Sequence, residues 1–129
     1  MDKLERILHV DDDEDIRTLT RMALELVGEY KVRQFATGEE ALAQTGSIDA
    51  QLLLLDYMMP GMSGEELWTR LKKVPALAGV PVVFMTAKTE ADLTGRLLEL
   101  GALAVIMKPF EIAGLSAQIA EIWKSFQTA

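Results

Sequence analysis

A chain of 129 residues and 14.3 kDa, half of it hydrophobic, is long enough for one self-sufficient domain that buries about two thirds of its unfolded surface. It has no cysteine and a single histidine, which excludes disulfides, thiolate metal sites, cysteine nucleophiles and most imidazole chemistry. A formal charge of -7 and a pI of about 4.7 argue against a surface that grips nucleic acid by its phosphates, and no run approaches the roughly 20 apolar residues of a membrane span.

Asp2, Lys3, Glu5 and Arg6 precede only a short apolar run, which is no signal peptide, so the expectation is a soluble cytoplasmic protein. Residues 4 to 10 read as a first strand that ends in Asp11-Asp12-Asp13. His9, inside Ile7-Leu8-His9-Val10, reads as a core or strand-edge residue rather than a ligand. Ile16, Leu19, Ala23, Leu26 and Val27 then recur at helical spacing with Gly28 as a stop, predicting a helix over about 14 to 27. Lys31 to Phe35 alternates like an edge strand, and Thr37-Gly38-Glu39-Glu40 is a capping box that opens a short second helix.

Leu52-Leu53-Leu54-Leu55 cannot alternate between core and water, so it reads as a strand buried on both faces, ending at Asp56. Pro60 and Gly61 turn the chain soon after, and Asp56 alone could be no more than a turn-forming aspartate. Ser63-Gly64-Glu65-Glu66 is a second capping box for a third helix over about 64 to 73, striped by Leu67, Leu71 and Val74 and broken by Pro75. Val80 to Met85 is another continuous apolar strand, followed by Thr86-Ala87-Lys88. Thr89 caps a fourth helix carrying Leu93, Leu97 and Leu100, closed by Gly101. Leu103 to Met107 makes a fifth strand that ends at Lys108-Pro109, and Ile112, Leu115, Ile119, Ile122 and Phe126 mark the fifth helix. Trp68 and Trp123, on or near the apolar stripes, read as packing residues.

Five strands alternating with five helices are the pattern of an α/β protein with a doubly wound parallel sheet. Right-handed crossovers then place Asp11 to Asp13, Asp56, Thr86 and Lys108 at one edge of that sheet. Converging carboxylates repel one another and have raised pKa values unless a cation is present, and their oxygens suit Mg²⁺. The Lys108 ammonium and Thr86 hydroxyl are donors, useless to a cation but suited to phosphoryl oxygens. An aspartate in that company can act as a nucleophile toward phosphorus, and being ionised at neutral pH it needs no general base.

Asp11-Asp12, Leu55-Asp56-Tyr57-Met58-Met59-Pro60-Gly61-Met62-Ser63-Gly64, Met85-Thr86-Ala87 and Met107-Lys108-Pro109-Phe110 resemble, in order and separation, the four signatures of response-regulator receiver domains. The resemblance spans essentially the whole chain. It implies the flavodoxin-like strand order 2-1-3-4-5; one receiver domain over residues 1–129 is expected, with no output domain after the fifth helix, as a stand-alone regulator or an excised receiver. It implies Asp56 as phosphoacceptor, and Mg²⁺ held by Asp11, Asp12, Asp56 and the backbone carbonyl of Met58. Thr86 and Lys108 would contact the phosphoryl oxygens and Ala87 would leave room for them; Asp13 would start the first helix. A cis peptide bond before Pro109 is also implied. Phosphate would come from a sensor histidine kinase or a histidine phosphotransfer protein, and a downstream protein would bind the face between the fourth and fifth helices.

On this reading the chain is no enzyme with a separate substrate, only a receiver that phosphorylates and dephosphorylates itself. Met58 and Lys88 lie where the family tunes that dephosphorylation. Val105 departs from the family, which usually has Tyr or Phe three residues before the lysine, so a rotating aromatic cannot report the switch there. The nearly 3.5-residue apolar period of the fifth helix leaves a homodimer seam open. Two alternatives compete: a haloacid-dehalogenase-like phosphatase, whose Asp-x-Asp is contained in Asp11-Asp12-Asp13, and a receiver-like scaffold that works without phosphorylation.

Overall fold

The computed structural model describes residues 3–87 and 91–128. Five strands, β1 (Arg6–Val10), β2 (Lys31–Phe35), β3 (Leu52–Asp56), β4 (Val82–Thr86) and β5 (Ala104–Met107), pair in parallel in the order β2-β1-β3-β4-β5. This is the expected topology. The central pairings are Leu8 with Leu53 and Leu55 with Phe84, so the leucine run of β3 lies in the middle of the sheet with every residue from Leu52 to Asp56 buried.

Period-two alternation sends successive side chains of each strand to opposite faces. One face carries Leu8, Val10, Leu53, Leu55, Val82 and Phe84, covered by α2 (Gly38–Ala43), α3 (Gly64–Leu71) and α4 (Ala91–Glu99). The other carries Ile7, Leu52, Leu54, Val83, Met85 and Ile106, covered by α1 (Glu14–Arg21) with its continuation and by α5 (Ile112–Thr128). Trp68 packs edge-on against Phe84 in the first core, while Trp123 is half-buried against the second, so both are packing residues as expected. Among the described residues no helix is long and apolar enough to cross a membrane.

The caps follow the sequence closely. Asp13 accepts from the Ile16 amide at 3.1 Å, Thr37 from that of Glu40 at 3.1 Å, and Ser63 from that of Glu66 at 3.1 Å. The return half of each box differs. The Glu40 carboxylate accepts from Ala36 N and from the Thr37 hydroxyl rather than from the Thr37 amide, and Glu66 pairs with Arg70 on the next turn. Thr37→Ala is expected to lower the unfolding free energy by about 1 kcal/mol, read as a fall in urea midpoint at unchanged slope. Thr89, expected to cap α4, and Lys88 lie outside the described residues.

The first helix departs most from expectation. After Arg21 it widens into a π-helical stretch, Met22–Val27, in which Gly28 N donates to Ala23 O at 3.1 Å, five residues back. The wider turn rotates the following residues. Ala23 and Leu24 are buried, but Leu26 and Val27 of the predicted stripe face solvent, Leu26 at 75% exposure; Leu19, ahead of the widened turn, is also exposed. The left-handed stop falls on Glu29, at φ 61°, one residue beyond Gly28. Gly28 is needed for space instead, since a Cβ there would lie 2.6 Å from the Tyr30 ring and 2.7 Å from Ser116 Oγ.

Candidate functional site

Parallel strands end together, and the C-terminal ends of β1, β3, β4 and β5 deliver Asp11, Asp56, Thr86 and Lys108 to one edge. Two backbone bonds prolong the sheet past its strand ends: Tyr57 N donates to Met85 O and Lys108 N to Thr86 O, each at 2.8 Å. The second carries Lys108 alongside Thr86, whose register partner is Met107. The Lys108–Pro109 peptide bond is cis.

The lysine ammonium bridges two of the acids, with Nζ 2.8 Å from Asp11 Oδ2 and 3.1 Å from Asp56 Oδ1. Asp11 and Asp56 are both buried, whereas Asp12 is exposed. Asp11, Asp12 and Asp56 each offer an oxygen within 4.8 Å of the others, a spacing and an all-oxygen donor set that fit a small divalent cation. The exposed Asp12 leaves the cluster open to the loop side. Thr86 is buried at the end of β4 and Ala87 follows it, exposed. Met58 lies in the loop two residues beyond Asp56 and is 57% exposed. Asp13 is spent on the α1 cap.

The electrostatics match the geometry. Burial and then the charge of Asp11 push the Asp56 carboxyl up to about 7, against the opposing pull of Lys108. Without a cation the buried Asp56 is thus held nearer its protonated form than an ordinary carboxylate, as expected of converging carboxylates with no counter-charge. Burial works against the charge on Lys108, but Asp11 and Asp56 outweigh it, and its pKa moves up. Burial, aided by the charges of Lys108, Arg17 and Arg21, pushes His9 down to about 3, so its imidazole is neutral. His9 is a core residue, as expected.

Several partners of the site were not evident in the sequence. Arg17 Nη1 donates to the Asp11 carbonyl at 2.7 Å, and Asp13 N donates to Asp11 Oδ1 at 3.0 Å. Tyr57, next to Asp56, packs edge-on against Phe84, and its hydroxyl accepts from Arg96 Nη2 of α4 at 2.7 Å. Arg96 also pairs with Glu65 of α3 at 2.9 Å, which ties both helices to the loop after β3. Val105 is half-buried on β5 opposite Phe84 and packs against the first core.

The profile of the response regulator receiver domain matches residues 7–120. The chain is 39% identical over 113 residues to the phosphate regulon transcriptional regulatory protein PhoB of Pseudomonas aeruginosa, a match covering 88% of this chain and 49% of PhoB. It is 36% identical over 115 residues to the DNA-binding response regulator MtrA of Mycobacterium leprae, covering 89% of this chain and 49% of MtrA. The chain thus spans about half the length of these curated relatives. Among solved structures, a CheY-like response regulator receiver domain protein from Methanospirillum hungatei superposes with a TM-score of 0.79 at 33% identity, covering 98% of this chain and all of that one. The chemotaxis response regulator CheY4 of Vibrio cholerae superposes at 0.82 with 26% identity, covering 93% and 99%.

Proposed function

The chain belongs to the response regulator receiver family, and on that footing we propose that Asp56 is the residue on which it receives the phosphoryl group of two-component signalling. The observation that carries this assignment is the Lys108 ammonium bridging Asp56 and Asp11 at the sheet edge, with Asp12 in reach. In the transfer, a carboxylate oxygen of Asp56 forms the new O–P bond as the donor's P–N or P–O bond breaks, and the electron pair leaves on the donor's imidazole or carboxylate. We assign to Lys108 and the Thr86 hydroxyl the donation of hydrogen bonds to the phosphoryl oxygens. Asp11, Asp12, Asp56 and the Met58 carbonyl are the residues we assign to Mg²⁺, which would offset charge on the transferred group. Bound there, a dication would also favour the ionised form of Asp56.

Receivers are not classical enzymes, and self-catalysed gain and loss of phosphate is the activity we assign. The phosphodonor is a sensor histidine kinase or a histidine phosphotransfer protein, with a cytoplasmic location part of the same reading. For the target we propose a protein that binds the face of α4, β5 and α5; Leu98 on α4 and Met107 at the end of β5 are exposed. A second copy of the chain is one candidate for that face. With Val105 in the strand, the Tyr57–Arg96 bond offers α4 a connection to Asp56 that needs no rotating aromatic on β5. PhoB and MtrA are named as regulators of transcription and as DNA-binding, and those names describe chains about twice as long. Nothing among these relatives supports the phosphatase alternative.

The test is intact-protein mass after incubation with acetyl phosphate. One phosphoryl adduct is expected on the wild type in the presence of Mg²⁺, and none on Asp56→Ala or after chelation. Absence of the adduct from folded wild type, with beryllofluoride also failing to bind, would remove this assignment and put the phosphorylation-independent scaffold first.

A further inference from the structure

His9 and Asp11 are two residues apart at the end of β1, so their side chains share one face of the sheet. The imidazole is fully buried. Its tautomer is set by a neighbour on β2, because His9 pairs in register with Gln34. Arg21 Nε donates to Gln34 Oε1 at 3.0 Å, which orients the amide. Gln34 Nε2 then donates to the Arg17 carbonyl at 2.8 Å and faces His9 Nδ1 at 3.0 Å. An amide nitrogen has no lone pair to accept with, so Nδ1 is the acceptor and the histidine proton sits on Nε2. Nε2 lies 3.9 Å from Asp11 Oδ2, beyond hydrogen-bond length, and has no hydrogen-bond partner among the described residues.

A buried donor without a partner is costly, and this one is held beside an oxygen that Lys108 already occupies. Resting on the proposed function above, we infer that His9 is a positioning residue for Asp11: its Nε2–H takes over Oδ2 when the Lys108 ammonium turns to a phosphoryl group. Asp11 then keeps its orientation toward the cation through a neutral donor that adds no charge to the pocket. The residues that aim the imidazole, Arg17, Arg21 and Gln34, come from α1 and β2. Donors of this kind, one bond removed from a metal, set the direction of the carboxylate that binds it.

The chain has one histidine, so every imidazole signal in a ¹⁵N-labelled sample belongs to His9. Long-range ¹H–¹⁵N correlation of the wild type is expected to show the neutral Nε2–H form; the Nδ1–H form or a cation would overturn the proposal without any variant being made. In calorimetric Mg²⁺ titrations, His9→Leu is expected to bind about tenfold more weakly than wild type. His9→Gln, which carries an amide donor near the position of Nε2, is expected to recover most of the affinity. Equal affinity in wild type and folded His9→Leu would end the positioning role while leaving the acidic pocket intact. A wild type that takes up no Mg²⁺ at all is a different result, which would end the reading of the pocket and the role of His9 together.

Discussion

Asp56→Asn is expected to make the cation-free protein more stable than wild type at pH 7 to 8 and no different near pH 4. The Asp56 carboxyl titrates at about 7 in the fold instead of 3.8, first because it is buried and next because Asp11 faces it. Between those values the folded chain keeps a proton that the unfolded chain has released. Stability therefore falls as pH rises from about 4 to about 7, and the whole loss is present above that. The gap of about three pH units, at about 1.4 kcal/mol each, corresponds to about 4 kcal/mol. Asparagine cannot ionise, and its amide can still meet the neighbouring Asp11.

Other acids titrate over the same range, so the informative quantity is the difference between the two proteins. Urea unfolding from pH 4 to 8 should give curves that start together and diverge, with the variant on top. Mg²⁺ should then close the gap from below, stabilising wild type by mass action more than the variant, which lacks one of the charges that would bind it. Parallel curves across this pH range would mean that Asp56 bears no penalty for its burial.

Where local chemistry decides the outcome, the fold was legible. Four leucines in a row leave a strand no wet face, and β3 is buried throughout. Asp13, Thr37 and Ser63 each announced a helix start that the structure realises. The convergence of Asp11, Asp56, Thr86 and Lys108 followed from strand ends and parallel crossovers alone. The π-helical turn did not, because Leu19, Leu26 and Val27 fit a 3.6-residue period perfectly well. One extra residue in the turn moves Leu26 and Val27 outward, and no residue in Met22–Val27 advertises it. Gln34 was equally opaque, since its bond to His9 exists only through the register of β1 with β2. The Arg96–Tyr57 bond spans 39 residues and depends on how α4 lies over the sheet.

Gly64→Ala separates propensity from packing most sharply. Gly64 is the first residue of α3, where by intrinsic preference alanine should help by up to about 1 kcal/mol. The structure predicts the opposite sign. A Cβ at Gly64 would collide with the carbonyl oxygen of Asp56, and would lie 3.0 Å from its carbonyl carbon and 3.1 Å from Tyr57 Cα. All three atoms are backbone, so no rotamer change relieves them. Gly64 N also donates to Tyr57 O at 2.9 Å, and the Ser63 cap fixes the helix start, so α3 cannot simply slide away. Either α3 lifts from the sheet or the end of β3 moves, at a cost of about 3 kcal/mol. Because Asp56 closes β3, the same displacement should carry its carboxylate away from Lys108 and weaken both Mg²⁺ binding and phosphorylation. Gly95→Ala is the control: it lies within α4 with nothing within 4 Å of its Cβ position, and it should stabilise by about 0.5 to 1 kcal/mol. Thermal or urea unfolding of the two variants should therefore move in opposite directions. Equal, stabilising shifts would show that the approach of α3 to the Asp56 carbonyl is not the constraint that places the phosphoacceptor.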